Sequence, residues 1–273
     1  MRVSDLKRFG KEFVVLKVGG SVLTGKRSFR RVALFLKQRS ELAPTEKLVV
    51  VVSAQKLETD TLERKARRIL REPSLRALDL LWSTGELQSV ALLVLHLHAI
   101  KVSSVGFNVH ETGLLFSSGS QASLARPSLT GGHLRAALAR HAVVVVPGFL
   151  ATRWDGAIVS LGRGGSDFSA VLLAIGLKAS RCELLKDVPG YFSDDPHKNT
   201  RALQLPSLSF EEALEIAEQG CELVQPRALL AAAAAKLLLV IRSIDEQAPV
   251  TVISPGKKSG RTEPQNEFVA AEP

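Results

Sequence analysis

Short runs of valine and leucine alternate with longer stretches in which apolar residues recur every three or four positions, and this alternation predicts the elements of the chain. Phe13-Val14-Val15-Leu16-Lys17-Val18 reads as a first buried strand, followed by a helix over residues 28–39 and a second strand over 48–52. A basic helix is expected over 59–71, stopped by Pro73. Residues 78–98 read as one or two helices, interrupted by Ser83-Thr84-Gly85-Glu86. Further strands are expected at 102–107, 143–146, 182–185, 237–241 and 250–253, and further helices at 167–177, 210–219 and 226–235. The last of these contains an unbroken alanine run, the residue with the highest helix propensity.

Strands that are apolar on both faces and alternate with helices imply an α/β fold, a three-layer sandwich around a mainly parallel central sheet. Right-handed crossovers then line up the loops that follow the strand carboxyl ends along one edge, where ligands bind. A length of 273 residues suits one large domain or two smaller halves around a cleft. No internal repeat or linker interrupts the first 253 residues. One domain over 1–255 is therefore expected, with a Gly-, Lys- and Glu-rich tail over 256–273 that reads as disordered.

Composition narrows the function classes. Two cysteines, Cys182 and Cys221, and no secretory pattern predict a reduced, cytoplasmic setting, and no run of 18 apolar residues predicts a membrane span. The net charge of +9 is concentrated in Lys26-Arg27, Arg30-Arg31, Arg64-Lys65 and Arg67-Arg68. Solvated helix faces account for such clusters, and one tyrosine with two tryptophans offers no stacking platform for nucleic acid. Anionic small molecules such as nucleotides explain the sign equally well.

The candidate chemistry lies at the strand ends. Ser160-Leu161-Gly162-Arg163-Gly164-Gly165-Ser166-Asp167 joins glycine-permitted turns, a guanidinium, a hydroxyl and a carboxylate just before a helix start, a combination suited to anions. Lys17-Val18-Gly19-Gly20-Ser21 combines close backbone approach with a cation, although a plain strand-to-helix turn would look similar. The overlapping stretch from Gly20 to Arg27 nearly spells a P-loop but carries arginine where a hydroxyl should hold magnesium. After the second strand, Thr59 reads either as a substrate contact or as an N-cap. Glu86 sits where a helix is expected to start, a position that the helix dipole favours for any acid. Lys186-Asp187-Val188-Pro189-Gly190-Tyr191, with Asp195 and Pro196, reads as a nucleotide-bordering segment or as a Pro-Gly turn. His96 and His98 have no second ligand pair, so no metal site is expected, and no nucleophile elbow appears.

Taken in order, these junctions resemble the amino acid kinase superfamily, most closely the catalytic domain of aspartokinase. Lys17 to Ser21 is similar to that family's Lys-Phe-Gly-Gly-Thr-Ser start, Leu78 to Glu86 to its Leu-Ser-Thr-Gly-Glu segment, and Ser160 to Asp167 matches all but the first residue of Thr-Leu-Gly-Arg-Gly-Gly-Ser-Asp. The resemblance covers roughly residues 12–254 and implies transfer of the γ-phosphoryl group of Mg-ATP to the side-chain carboxylate of aspartate. It implies an amino-acid-binding half up to about residue 150 and a nucleotide-binding half after it. Lys17 and Asp167 would be catalytic, with Gly19, Gly20, Ser21, Gly164 and Gly165 on phosphate. Thr59, Glu86, Arg163 and Ser166 would hold the amino acid, Arg163 on its α-carboxylate and Glu86 near its amino group. Lys186, Asp187, Tyr191, Asp195 and Pro196 would border the nucleotide. The expected cofactors are ATP and Mg2+, and the expected assembly is a homodimer without nucleic acid or membrane partners. Aspartokinases usually continue into ACT regulatory domains, so the resemblance also allows a separate regulatory subunit.

Departures accompany the likeness. The family's Gly-Ala-Lys-Val-Leu-His-Pro appears as Gly220-Cys221-Glu222-Leu223-Val224-Gln225-Pro226, which replaces a phosphate-supporting lysine with Glu222. Lys186, Lys198 and Arg227 are candidates for the missing charge. The alternatives are a kinase for another small carboxylate or amino acid, or a catalytically impaired regulatory paralogue that binds nucleotide or amino acid.

Overall fold

The computed structural model describes residues 13–25, 27–116, 127–162, 164–194, 199 and 201–256. The tail expected to be disordered lies almost wholly outside the described residues, as do Arg163, Asp195, Pro196 and Lys198. The chain runs β1 (Phe13–Val18), α1 (Ser28–Leu42), β2 (Lys47–Val52), α2 (Glu58–Ile69), α3 (Leu75–Ala99), β3 (Ser104–Gly106), β4 (Leu114–Phe116), β5 (Pro127–Leu129) and α4 (Gly132–Arg140). It continues through β6 (Val143–Pro147), β7 (Leu150–Thr152), β8 (Ile158–Ser160), α5 (Gly165–Leu177), β9 (Arg181–Leu185) and β10 (Ser207–Ser209). It ends with α6 (Phe210–Glu218), α7 (Pro226–Ala235), β11 (Leu239–Arg242) and β12 (Thr251–Ser254).

Eight strands form the central sheet in the order β10-β12-β11-β9-β1-β2-β6-β3, parallel throughout except where β12 runs against β11. Successive side chains on a strand point to opposite faces, so the valine-rich strands feed two cores at once. Val14, Leu16 and Val18 pack with Phe29, Val32 and Leu36 of α1 and Leu93 and Leu97 of α3. Val15, Val49, Val51 and Val144 pack with Phe168, Val171 and Ala174 of α5 and Ala228 and Leu229 of α7. Lys17 has the parity of Val15, which directs its side chain to the α5 face.

Two expectations need correction. The stretch 78–98 lies within one uninterrupted 25-residue helix, α3, and Ser83-Thr84-Gly85-Glu86 falls inside it rather than at a start. The hydroxyls bond back to carbonyls three residues earlier, Ser83 to Leu80 at 2.7 Å and Thr84 to Leu81 at 2.7 Å, so they do not compete with the helix. A β-carbon at Gly85 would come within 3.3 Å of Ala54, Glu58 and Leu62, so the glycine is there for close packing and breaks nothing. Among the described residues, α3 alone is long and apolar enough to cross a bilayer, yet it packs on α1 and α2 and buries nine of its own residues. The second correction is an additional four-stranded sheet, β5-β4-β7-β8, built from three-residue strands. Segments that short carry no readable periodicity.

A buried ion cluster locks α1 to the sheet. Glu183, fully buried on β9, receives Arg39 Nη1 at 2.6 Å, Arg181 Nε at 2.7 Å and Arg242 Nη1 at 3.4 Å, and Glu46 bonds the first two arginines from the other side. Burial opposes the charge of Glu183, but the three guanidinium groups outweigh it and hold the carboxyl well below its usual range. Arg39 donates four hydrogen bonds to Glu46 and Glu183, and its removal strips buried carboxylate oxygens of those donors. Arg39→Met is therefore expected to cost about 3–5 kcal/mol in urea unfolding. Lys37→Met, which breaks an exposed 3.9 Å pair with Glu41, should cost under about 0.5 kcal/mol.

Candidate active site

At the carboxyl edge of the sheet, β1 carries Lys17 next to its last residue and β9 is followed by Lys186, and both ammonium groups meet one carboxylate. Lys17 Nζ lies 2.8 Å from Asp167 Oδ1, and Lys186 Nζ lies 2.8 Å from Asp167 Oδ2. Lys17 and Asp167 are buried, Lys186 nearly so. Burial alone would push the Asp167 carboxyl up. The charges of Lys17 and Lys186 reverse that and hold it well below the carboxylate range. Lys186 moves the opposite way from a simple ion pair: burial, helped by the like charge of Lys17, lowers it despite the attraction of Asp167. Two cations on one anion leave a buried excess of positive charge.

Asp167 is placed by α5. Gly164 takes the left-handed conformation (φ +69°) at the N-cap, a geometry that costs glycine nothing, and the helix begins at Gly165 with Asp167 in its first turn. The helix dipole favours the carboxylate there. Ser166, also buried, backs onto Gly148 in the turn between β6 and β7. That turn is held by Phe149 N–H donating to Ser169 Oγ at 3.2 Å and by the ring of Phe149, which Trp82 of α3 meets edge-on at 5.8 Å. The octapeptide is tied to α3 by Ser160 N–H donating to Asp79 Oδ1 at 3.1 Å.

The loop after β1 supplies donors. Val22 and Leu23 donate to the carbonyls of Gly19 and Gly20 at 3.0 Å, closing a tight turn beside Lys17. Ser21 Oγ donates to Asp187 Oδ1 at 3.2 Å, which ties this loop to the segment after β9. Tyr191 of that segment is buried, its phenol pushed up chiefly by burial, and its N–H donates to Thr251 Oγ1 at 2.9 Å.

On the opposite flank, Glu86 of α3 is buried, and burial raises its carboxyl from 4.5 to about 8, even though the Ala54 backbone N–H and the charge of Lys17 pull it down. Its Oε2 has no hydrogen-bond partner among the described residues. Thr59 lies half-buried in the first turn of α2. It is not the cap of that helix: the N-cap is Leu57, at φ +68° and without a side-chain bond. No hydrogen bond joins Thr59 to Glu86 among the described residues.

The substituted segment also has a clear geometry. Glu222 is exposed and forms no ion pair among the described residues. Gln225 lies against Gly164, and its N–H approaches Asp167 Oδ2 at 3.5 Å. Arg227 is committed elsewhere, donating to the Leu161 carbonyl at 3.0 Å and stacking over Phe168. Among the described candidates for the missing charge, Lys186 alone reaches the centre.

Comparison with known proteins identifies the lineage. The profile described as amino acid kinase family matches residues 12–243. The chain belongs to this family. An amino acid kinase of Thermus thermophilus, named aspartokinase, is 35% identical over 240 residues, covering 88% of this chain and 58% of that relative. The aspartokinase of Pseudomonas aeruginosa is also 35% identical over 242 residues, with 88% and 58% covered. The chain thus spans somewhat over half the length of the curated relatives it matches. Aspartate kinase from Synechocystis superposes with a TM-score of 0.74 at 33% identity, covering 91% of this chain and 40% of that one. Aspartokinase III of E. coli in complex with aspartate and ADP superposes at 0.76 and 25% identity, covering 90% and 65%.

In this member of the family the structure brings together Lys17, Gly19, Gly20, Ser21, Gly164, Gly165, Ser166, Asp167, Lys186 and Asp187, while Glu86 and Thr59 form a separate flank. Sequence reasoning missed Asp79, Gly148 and Phe149, whose contacts run between elements far apart in the chain. The only local signal was the glycine closing a four-valine strand.

The pH response of Glu86 follows from its raised value. In the unfolded chain this carboxyl ionises near 4.5, and in the folded one near 8, so its contribution to stability falls as pH rises between those values. Glu86→Gln should flatten that limb of the curve of urea midpoint against pH. An unchanged slope in the variant would mean that the carboxyl is not held protonated.

Proposed function

We propose that the chain is an aspartokinase-type phosphotransferase, moving the γ-phosphoryl group of ATP to the side-chain carboxylate of aspartate. The observation that carries this reading is the Lys17–Asp167–Lys186 arrangement beside the glycine turn after β1 and the N-terminus of α5. Phosphoryl transfer asks mainly for in-line positioning and for positive charge around the phosphate oxygens. A carboxylate acceptor is already ionised at neutral pH and needs no base. Its oxygen forms a bond to the γ-phosphorus while the bond to the ADP oxygen breaks. Lys17, Lys186 and the loop from Gly19 to Ser21 would balance the charge on the transferring oxygens. Asp167 acts by holding both ammonium groups in position and by keeping them apart. The first half, up to about residue 150, would present the amino acid and the second half the nucleotide, against Asp187, Tyr191, Asp195 and Pro196. Arg163 would take the α-carboxylate and Glu86 the amino group, with Thr59 and Ser166 alongside.

Magnesium fits this residue set only in part through protein. Asp167 is ion-paired with both lysines, which leaves Asp187 as the carboxylate without a cation, and Mg2+ commonly takes one or two carboxylates plus phosphate oxygens and water. When bound, it would neutralise charge on the β- and γ-phosphates. A homodimer and a cytoplasmic setting are part of the same reading, the latter supported by two unpaired cysteines.

Glu222 favours a second reading, an impaired regulatory paralogue. Its exposure and the position of Lys186 argue that the charge has been supplied from another strand end. A coupled assay of ADP release over a panel of amino acids should show turnover with aspartate, and Lys17→Met and Lys186→Met should each lower kcat by ~100-fold or more. Glu222→Lys should change kcat by less than about threefold, a free-energy change well below that of one tenfold step. ATP binding without turnover, together with a large gain in Glu222→Lys, would establish the regulatory reading instead. Because Glu86 must ionise to meet an ammonium group, KM for the amino acid should fall as pH rises toward about 8, and Glu86→Gln should abolish the trend.

A further inference from the structure

Beside the phosphoryl-transfer centre, on the face covered by α1, a separate cleft of about 720 Å3 opens at the carboxyl ends of β1, β9 and β11. Its walls are the loop from Ser21 to Gly25, the first turn of α1 with Arg27, Ser28 and Arg31, the pair Lys186 and Asp187, and the stretch from Ser243 to Asp245. The site just described uses the opposite flank of Lys186, where Asp167, Gly164 and Tyr191 lie. The cleft also sits where the strand order reverses. The chain leaves β1 through α1 toward β2, and leaves β9 in the opposite direction, crossing to β10 at the edge and returning through α6 and α7 to β11. Open parallel sheets form their natural crevice at such a point.

Three observations indicate what the cleft takes. Arg27 and Arg31 both line it, stand one helical turn apart, are exposed, and form no ion pair with a described carboxylate. Their placement opposes ordinary helix electrostatics: the first turn of α1 has no acidic residue, Arg27 occupies the N-cap without a side-chain bond, and Arg30 and Arg31 follow. Cations at the positive end of a helix, and like charges four residues apart, both weaken it. An anion bound there would offset both effects. Independently, Ser243 is 9% exposed, lines the cleft, and its hydroxyl has no hydrogen-bond partner among the described residues. That hydroxyl opens onto the cleft and is free to bond a polar ligand there. The carboxylates Asp187 and Asp245 also line the walls, and they suit hydroxyl or amino hydrogens on the remainder of such a molecule.

We propose that this cleft is a second binding site, for a small molecule that carries a phosphate or pyrophosphate group gripped by Arg27 and Arg31. Planar guanidinium groups match phosphate oxygens two at a time. The cleft shares Ser21, Lys186 and Asp187 with the centre next to it, so its occupant would shift nucleotide affinity, and nucleotide would shift affinity here by the same factor. Only that coupling rests on the aspartokinase reading; binding in the cleft does not.

Inorganic pyrophosphate titrated calorimetrically into the full chain, with and without saturating ADP, tests the proposal. Pyrophosphate is expected to bind in the presence of ADP. The double variant Arg27→Ser, Arg31→Ser should bind it at least tenfold more weakly while keeping its ADP affinity within about twofold. Relief of helix-end repulsion predicts that this variant melts no lower than the parent, so a folding defect does not confuse the result. Ser243→Ala should weaken pyrophosphate binding in the same direction. The proposal is overturned if pyrophosphate does not bind, if the arginine variant binds it as tightly as the parent, or if ADP displaces it completely. Loss of ADP binding in the arginine variant would also overturn it, by making the cleft the nucleotide's own. Should the chain fail to phosphorylate any amino acid, the titration without ADP still decides the matter.

Discussion

One carboxylate between two buried ammonium groups organises this molecule. Asp167 reaches from the first turn of α5 to Lys17 near the end of β1 and to Lys186 after β9, both at 2.8 Å. Burying any of the three alone would be prohibitive, and burying all three leaves one positive charge in excess. That excess is what an incoming anion neutralises. The arrangement also joins a helix to the ends of two adjacent parallel strands, so the geometry of the sheet edge and the charge of the site are set by the same contacts.

The same economy of charge recurs elsewhere. Glu183 and Glu46 answer Arg39, Arg181 and Arg242 inside the fold, where the excess of cations is only one and every group is bonded. At the mouth of the α1-side cleft, Arg27 and Arg31 are left unanswered. The contrast separates structural arginines, whose partners are built in, from exposed arginines that are open to solvent and, in the binding proposal, to an anion. A net charge of +9 has therefore at least two origins beyond solvated helix faces.

The replacement of a family lysine by Glu222 looks, from sequence, like the loss of an essential charge. In space the outcome differs. Glu222 points to solvent, and Lys186 occupies the position from which a second ammonium group can serve Asp167. A charge needed at one point in space can come from either of two segments that converge there.

Seven of the eight central-sheet strands, all but β10, and most of the helices were legible in the sequence, because the valine runs are buried on both faces and the helices keep a regular apolar spacing. The sequence also determined the glycine-rich turns after β1 and before α5, since local backbone geometry requires those residues there. Tertiary structure alone decided that Ser83-Thr84-Gly85-Glu86 continues a helix: the hydroxyls bond back along it, and Gly85 is needed for close contact with Ala54 and Leu62. It alone decided the raised carboxyl of Glu86, the partnership of Lys186 with Asp167, and the small second sheet. Burial, desolvation and ion pairing depend on residues distant in the chain, and their energies exist only once the layers have closed.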